Sequence, residues 1–418
     1  MRRLRWFFSI FMSLLLLAVS IGNVLAAEPV PYTPNPLPRQ PAVKDNPVTP
    51  LGGVADPTGI KMPVLNAVLV VGPIDKADGE WTLTEIKNMK LAETELISHG
   101  VIVKTFYAPN DSWEAVRTAA AGAQFFLYRG HGISDGNNPL NVGGLFLTSG
   151  YVSPDNIRTG LHLAKNAIVM LYGCYAAGSS SEDKTLSSSE AYRRVVQYSD
   201  PFFSAGAGGY FANWFGDAFQ QFIRNLFEGK SLGNAYQSYY DYGAATVESF
   251  TRPADANAVL WLDKDYWDGG YKYDNAFVGL ANKTLLDLFN TTMVASHSPI
   301  VHLATPTSSA QTTNITITGT TSLIFDWSAT LSLNSAAITQ AATQSAFSSW
   351  AILNTTSGKT GDQVSVTMNP TNLSTGTYSA TVHLHSDTIG VNQPDQNIPI
   401  KLVVADRWNF VFIPVTIR

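Results

Sequence analysis

Ala123-Gln124-Phe125-Phe126-Leu127-Tyr128-Arg129-Gly130-His131-Gly132 and, further along, Asn166-Ala167-Ile168-Val169-Met170-Leu171-Tyr172-Gly173-Cys174 are the stretches on which the fold turns. Each is an apolar run of strand length without alternation, the pattern of a strand buried on both faces. Each ends in glycine and then in a side chain capable of covalent chemistry, His131 in one and Cys174 in the other. Small, turn-prone residues follow the cysteine, from Ala176 to Ser180. In an open sheet of parallel strands, residues just past two neighbouring strand ends face the same crevice. The segment between the two runs has room for the helical crossover that parallel pairing requires.

The flanking sequence extends the pattern. Val64 to Val71 reads as a first buried strand ended by Gly72-Pro73, and Ile86, Met89, Leu91, Leu96 and Ile97 recur at helical spacing before Gly100 stops that helix. Val101 to Tyr107 is a second strand, and Ser112 caps a helix carrying Trp113 and Val116. Strand and helix thus alternate three times, which predicts a doubly wound, mostly parallel α/β sheet with helices on both faces. Beyond the cysteine, Glu190 to Tyr198 is expected as a helix and Phe202 to Tyr210 as a glycine-rich strand at a cleft. Helices are expected from Asp217 to Phe227 and from Leu232 to Tyr240, and the aromatic-rich 258–281 segment as core.

At 418 residues the chain exceeds one ordinary core. Arg2, Arg3 and Arg5 precede an apolar stretch from Trp6 to Val19, with small residues at 24–27, so a signal peptide is expected over 1–27. The run is short for an uncleaved anchor, and the mature chain is expected to be secreted or extracytoplasmic with no membrane association. A proline-rich linker follows over 28–63, then the α/β domain over 64–295 and a linker over 296–312. Period-two alternation in Val364–Met368 and Tyr378–Leu384 predicts an immunoglobulin-like β-sandwich over 313–406, with a tail over 407–418. His383 and His385 share a strand face but have no further ligand nearby in sequence, so no metal and no cofactor is expected. A net charge of −5 without a basic patch argues against nucleic acid.

Cys174 is the sole cysteine. An exported chain cannot pair it internally, and a lone thiol in an oxidising place is a liability unless something requires it. A small buried hydrophobe is the alternative, against which stands its position beyond the strand end.

Taken together, Tyr128-Arg129-Gly130-His131-Gly132 and Leu171-Tyr172-Gly173-Cys174 resemble the catalytic core of caspase-like cysteine peptidases, most closely the gingipain-type bacterial members. The likeness spans Val64 to Leu288. It implies that Cys174 is the nucleophile, His131 the general base, and the N–H groups of Gly132 and Cys174 the oxyanion hole. It also implies that Phe211-Ala212-Asn213-Trp214 walls a substrate pocket, with Trp214 as its aromatic face. The family's acidic residue for a basic side chain has no match, Asp217 being only a candidate. The C-terminal region resembles BACON-type and related Ig-like modules of secreted bacterial enzymes, which implies glycan or cell-surface contact or a spacer role. The expected function is a secreted cysteine endopeptidase acting on protein or peptide substrates through an acyl-enzyme. The alternatives are an inactive caspase-like binding or adhesion protein and a thiol-dependent acyl transferase.

Overall fold

The computed structural model describes residues 64–135, 138–252, 255–267, 269–321, 323–334 and 350–408. The expected signal peptide, the proline-rich linker and most of the expected tail lie outside these residues. Strand β1 (Asn66–Val71) leads into α1 (Glu80–Ser98), β2 (Ile102–Tyr107), α2 (Trp113–Ala119) and β3 (Phe125–Arg129). Two hairpins, β4 (Ser134–Asp135) with β5 (Asn138–Val142) and β6 (Leu145–Leu147) with β7 (Gly150–Val152), precede α3 (Pro154–Gly160) and β8 (Ala167–Tyr172). Then come α4 (Ser188–Ser204), β9 (Ala207–Asn213), α5 (Ala218–Phe227) and α6 (Leu232–Gln237). The antiparallel strands β10 (Val247–Arg252), β11 (Asp255–Trp267) and β12 (Gly270–Gly279) complete this part.

These strands form one eight-stranded sheet in the order β10-β11-β12-β9-β8-β3-β1-β2. The pairs from β9 to β2 are parallel, and β12 joins β9 antiparallel. Buried on both faces, β3, β8 and β9 are enclosed at every position, in keeping with their mainly apolar, non-alternating sequences, whereas the edge strand β2 is half exposed. Ser112, Ser153, Ser187 and Ser231 each cap a helix by accepting an N–H of its first turn. Such a cap contributes about 1 kcal/mol. Gly100, at φ 76°, takes the left-handed turn that ends α1.

After α7 (Leu285–Leu288), whose Thr284 and Asp287 cap it reciprocally, the chain becomes all-β. In order, β13 (Thr291–Ala295), β14 (Ile300–Ala304), β15 (Gln311–Gly319), β16 (Asp326–Asn334) and β17 (Ala351–Leu353) are followed by β18 (Ser357–Lys359), β19 (Gln363–Met368), β20 (Gly376–His385), β21 (Val391–Asn392) and β22 (Asp395–Val404). They make two five-stranded sheets, β17-β19-β15-β13-β21 and β14-β22-β20-β16-β18, around a core that includes Ile315, Trp327, Trp350, Val366 and Val382. Val64 bridges to Ile324, its N–H 3.1 Å from that carbonyl, and Leu323 packs into the core of the eight-stranded sheet.

Three expectations are corrected. The doubly wound α/β class does not describe the molecule: strand accounts for 41% and helix for 22%, the eight-stranded sheet is mixed, and two further sheets carry no helices. The strand–helix alternation that leads up to β9 gives way to the antiparallel strands β10–β12 and then to an all-β region. Phe202 and Phe203 belong to α4, because Val195, Tyr198 and Phe202 keep helical spacing on its buried side, and the strand begins at Ala207. The expected linker over 296–312 contains β14, paired parallel with β22, and β13 already pairs with β15. Among the described residues no helix is long and apolar enough to cross a membrane.

Candidate active site

Strands β3 and β8 lie side by side with Arg129 opposite Tyr172, and His131 and Cys174 each stand two residues beyond those partners. The Gly130 N–H donates to the Tyr172 carbonyl at 3.1 Å and carries the pairing one step further. Past that point the two turns touch backbone to backbone. A Cβ at Gly132 would fall 1.7 Å from the Cys174 carbonyl oxygen, and one at Gly173 would fall 3.0 Å from the Gly132 nitrogen. Glycine at 132 is therefore what allows the histidine and cysteine turns to approach so closely.

His131 is buried, with Nε2 2.7 Å from the Ile74 carbonyl oxygen at the end of β1. A carbonyl only accepts, so Nε2 carries the proton in that bond and Nδ1 is left as the basic nitrogen. Tyr128, three residues earlier on the same run, donates its hydroxyl to the His131 carbonyl at 3.1 Å and fixes the turn. Burial pushes the imidazole below its ordinary pKa, against the Ile74 carbonyl and the Asp75 charge, which favour the cation. Although burial raises it, Asp75 is held down to about 2 by N–H groups of Lys76 and Thr82 and the Thr82 hydroxyl, so it is a fixed negative charge near the ring.

Cys174 is 2% exposed, and its sulfur lies 3.9 Å from the Ser181 hydroxyl. Burial pushes the thiol up, the Ser181 hydrogen bonds oppose this, and Asp183 and Glu182 add to the rise. Tyr175, directly after the cysteine, adopts φ 68°, a left-handed conformation that is strained for a tyrosine, and its N–H donates to Ser179 at 2.7 Å. Among the described residues, neither the Gly132 N–H nor the Cys174 N–H donates to a backbone carbonyl. Backbone donors on the two touching turns beside one thiol are of the kind that receives an oxyanion.

The segment 179–186 that supplies Ser181 is clamped in place. Ser179 exchanges hydrogen bonds with Tyr273 of β12 at 3.0 and 2.8 Å, and the Leu186 N–H reaches Tyr271 at 3.0 Å. Asp183 accepts from the Ser180 N–H at 2.7 Å and pairs with Arg194 of α4 at 2.6 Å.

The expected pocket residues stand elsewhere than on an open wall. Asn213 ends β9, fully buried, and accepts the Phe215 N–H at 2.7 Å. Trp214 is 0% exposed and donates its backbone N–H to Asp274 at 3.1 Å, so its ring presents no face to solvent, which corrects the expectation of an aromatic pocket face. Asp217 precedes α5 without capping it and accepts the Tyr239 hydroxyl at 3.0 Å. His383 is held by Asn397 and Ser332, and exposed His385 by Asp395 and Asp387, whose hydrogen bonds raise its pKa.

Two features went unread in the sequence. Arg129 in β3 is completely buried and pairs with Glu85 of α1 at 2.5 Å. The signal was an arginine inside an apolar run, which demands a buried acid from a neighbouring element. The second is a group of aspartates, Asp241, Asp265 and Asp274, brought together from three separate segments.

No family model matches the chain, and no curated protein matches it. Among solved structures, a PapD-like (ASH) domain of human CEP192 is similar at 12% identity, with a TM-score of 0.21, over 28% of this chain and 89% of that one. The CsuC–CsuE chaperone–tip adhesion subunit complex of Acinetobacter baumannii pili is similar at 15% identity, with a TM-score of 0.19, over 28% of this chain and 57% of that one. A protein of unknown function from Porphyromonas gingivalis is similar at 10% identity, with a TM-score of 0.18, over 38% of this chain and 65% of that one. None of the three is a peptidase by name, and likenesses this slight carry no argument about function.

Proposed function

We propose that this chain is an exported cysteine peptidase in which Cys174 is the nucleophile and His131 the acid–base, with segment 179–186 covering the thiol at rest. The observation that supports it most is the register of β3 and β8, which brings His131 and Cys174 past two adjacent strand ends onto touching turns. The thiol proton passes to Nδ1 of His131, because Nε2 is committed to the Ile74 carbonyl. The sulfur then adds to the peptide carbonyl carbon, and the N–H groups of Gly132 and Cys174 receive the oxyanion. The C–N bond breaks as His131 returns the proton to the leaving amine, and water attacks the thioester to release the acid. Export rests on the leader-like stretch over 1–27. The likeness of the His-Gly and Gly-Cys pair to gingipain-type peptidases is a likeness of motifs and supports the same reading.

One observation favours a second reading, a secreted binding protein without turnover: the thiol is sealed and its burial disfavours the thiolate. Incubation with a mixed peptide library separates the two. Cleavage that is lost in Cys174→Ala, with the fold retained by circular dichroism, is the expected result, and an uncut library under conditions that open the site supports the binder.

A further inference from the structure

We propose that Asp241, Asp265 and Asp274 bind a hard divalent cation, Ca²⁺, that ties the turn after α6 to strands β11 and β12 behind Trp214. Each of the three offers a carboxylate oxygen, and these oxygens lie within 4.8 Å of one another. Oxygens in one calcium shell, at about 2.3–2.6 Å from the ion, stand no more than about 5 Å apart. They come from the turn at 241, from β11 and from β12, so no local turn explains their convergence.

Convergent acids alone do not make a site, but Asp274 adds an independent sign. It is 1% exposed and its Oδ1 has no hydrogen-bond partner among the described residues, nor has Oδ2 of Asp241. A carboxylate held away from water without a partner is costly unless a cation or a proton meets it. The neighbouring Asp263 shows the contrast, since it accepts the Gly243 N–H at 2.9 Å and the Thr246 hydroxyl at 2.6 Å. Burial acts first on each of the three, and neighbouring carboxylates add to it, Asp265 and Asp263 on Asp241 and Asp274, and Asp263 on Asp265, so all are pushed upward. Burial acts first on Asp265 and the Asp263 charge adds to it, and the buried Lys272 stands opposite Asp265 in the register of β11 and β12. An all-oxygen donor set selects a hard cation, and an irregular set of three carboxylates suits calcium better than the strict octahedron of magnesium. Because the Trp214 N–H donates to the Asp274 carbonyl, the ion would brace the end of β9.

The test is calcium chloride titrated into the full chain after chelator treatment, followed by calorimetry and by thermal unfolding. The expected result is one ion bound per chain, a Tm raised by several degrees, and magnesium weaker by about tenfold or more. Asp265→Asn, at a half-exposed position, is expected to fold and to weaken calcium binding by about tenfold or more. Absence of heat and of any Tm shift in the unsubstituted protein overturns the proposal, as does unchanged affinity in Asp265→Asn. Stabilisation by arginine amide or lysine amide that depends on Asp265, without stabilisation by calcium, also overturns it and assigns the acids to a basic side chain. Neither readout uses peptide cleavage, so the outcome is independent of the peptidase reading.

Discussion

Arg129 lies at the heart of the fold, two residues before the histidine. Its guanidinium meets Glu85 at 2.5 Å, stacks 4.2 Å over the Tyr172 ring and is wholly buried. Removing one member of such a pair leaves a stranded charge and costs about 3–5 kcal/mol. Glu85→Leu is therefore expected to lower the urea midpoint sharply, and Glu85→Leu with Arg129→Met to recover much of the loss. His131 and Cys174 set the pH dependence. Burial lowers the histidine below its ordinary 6.5, so its contribution to stability is complete above 6.5 and declines as pH falls below it. Burial raises the thiol above 9.0, so its contribution is complete below 9.0 and declines as pH rises beyond it. His131→Asn is expected to flatten the acid limb of the stability profile and leave the alkaline limb, as read by chemical denaturation from pH 5 to 10. His131 and Cys174 were legible as residues because glycine and a strand end frame each. Glu85 was not, because helical spacing shows which positions are apolar and says nothing of which polar one turns inward.

At the level of elements, the segment 179–186 decides whether the thiol is reachable. Its anchors are two backbone contacts with β12 and the pair of Asp183 with Arg194. Asp183→Ala removes that pair together with a negative charge that disfavours the thiolate. Alkylation of Cys174 by iodoacetamide is expected to quicken about tenfold, equivalent to about 1.4 kcal/mol of easier opening. An unchanged rate would mean that the segment does not gate the sulfur. The paired strands β3 and β8 were readable because Phe125–Tyr128 and Ala167–Tyr172 are non-alternating apolar runs of strand length, each ended by glycine. The boundary of α4 was misread because Phe202 and Phe203 carry strand propensity, which burial on a helix face overrode. Asn213 and Trp214 were read as a pocket wall beyond a strand ending at Tyr210, whereas β9 runs on to Asn213 with β12 packed alongside, which no local pattern reveals.

The whole molecule joins two cores that meet at Leu323 and at the bridge from Val64 to Ile324. Leu323 belongs to the β-sandwich in sequence and to the other core in space, so Leu323→Ala is expected to destabilise the eight-stranded sheet by about 2–4 kcal/mol. Urea unfolding followed by hydrogen exchange of β1 and β3 would register this, and protection unchanged in those strands would refute it. The sandwich was legible from period-two alternation, but its first strands hid in a Ser- and Thr-rich stretch where only the ends of β14, Ile300 and Ala304, are buried. The large sheet was expected to be doubly wound because β11 and β12, which make it mixed, lie mostly in the aromatic-rich 258–281 segment that was read only as core. The most direct measurement of the central claim is mass spectrometry of the mature protein after exposure to an irreversible peptidyl acyloxymethyl ketone. Adduct on Cys174 that disappears in His131→Ala is the predicted result; a thiol that stays unmodified, or reacts equally without His131, contradicts a working pair.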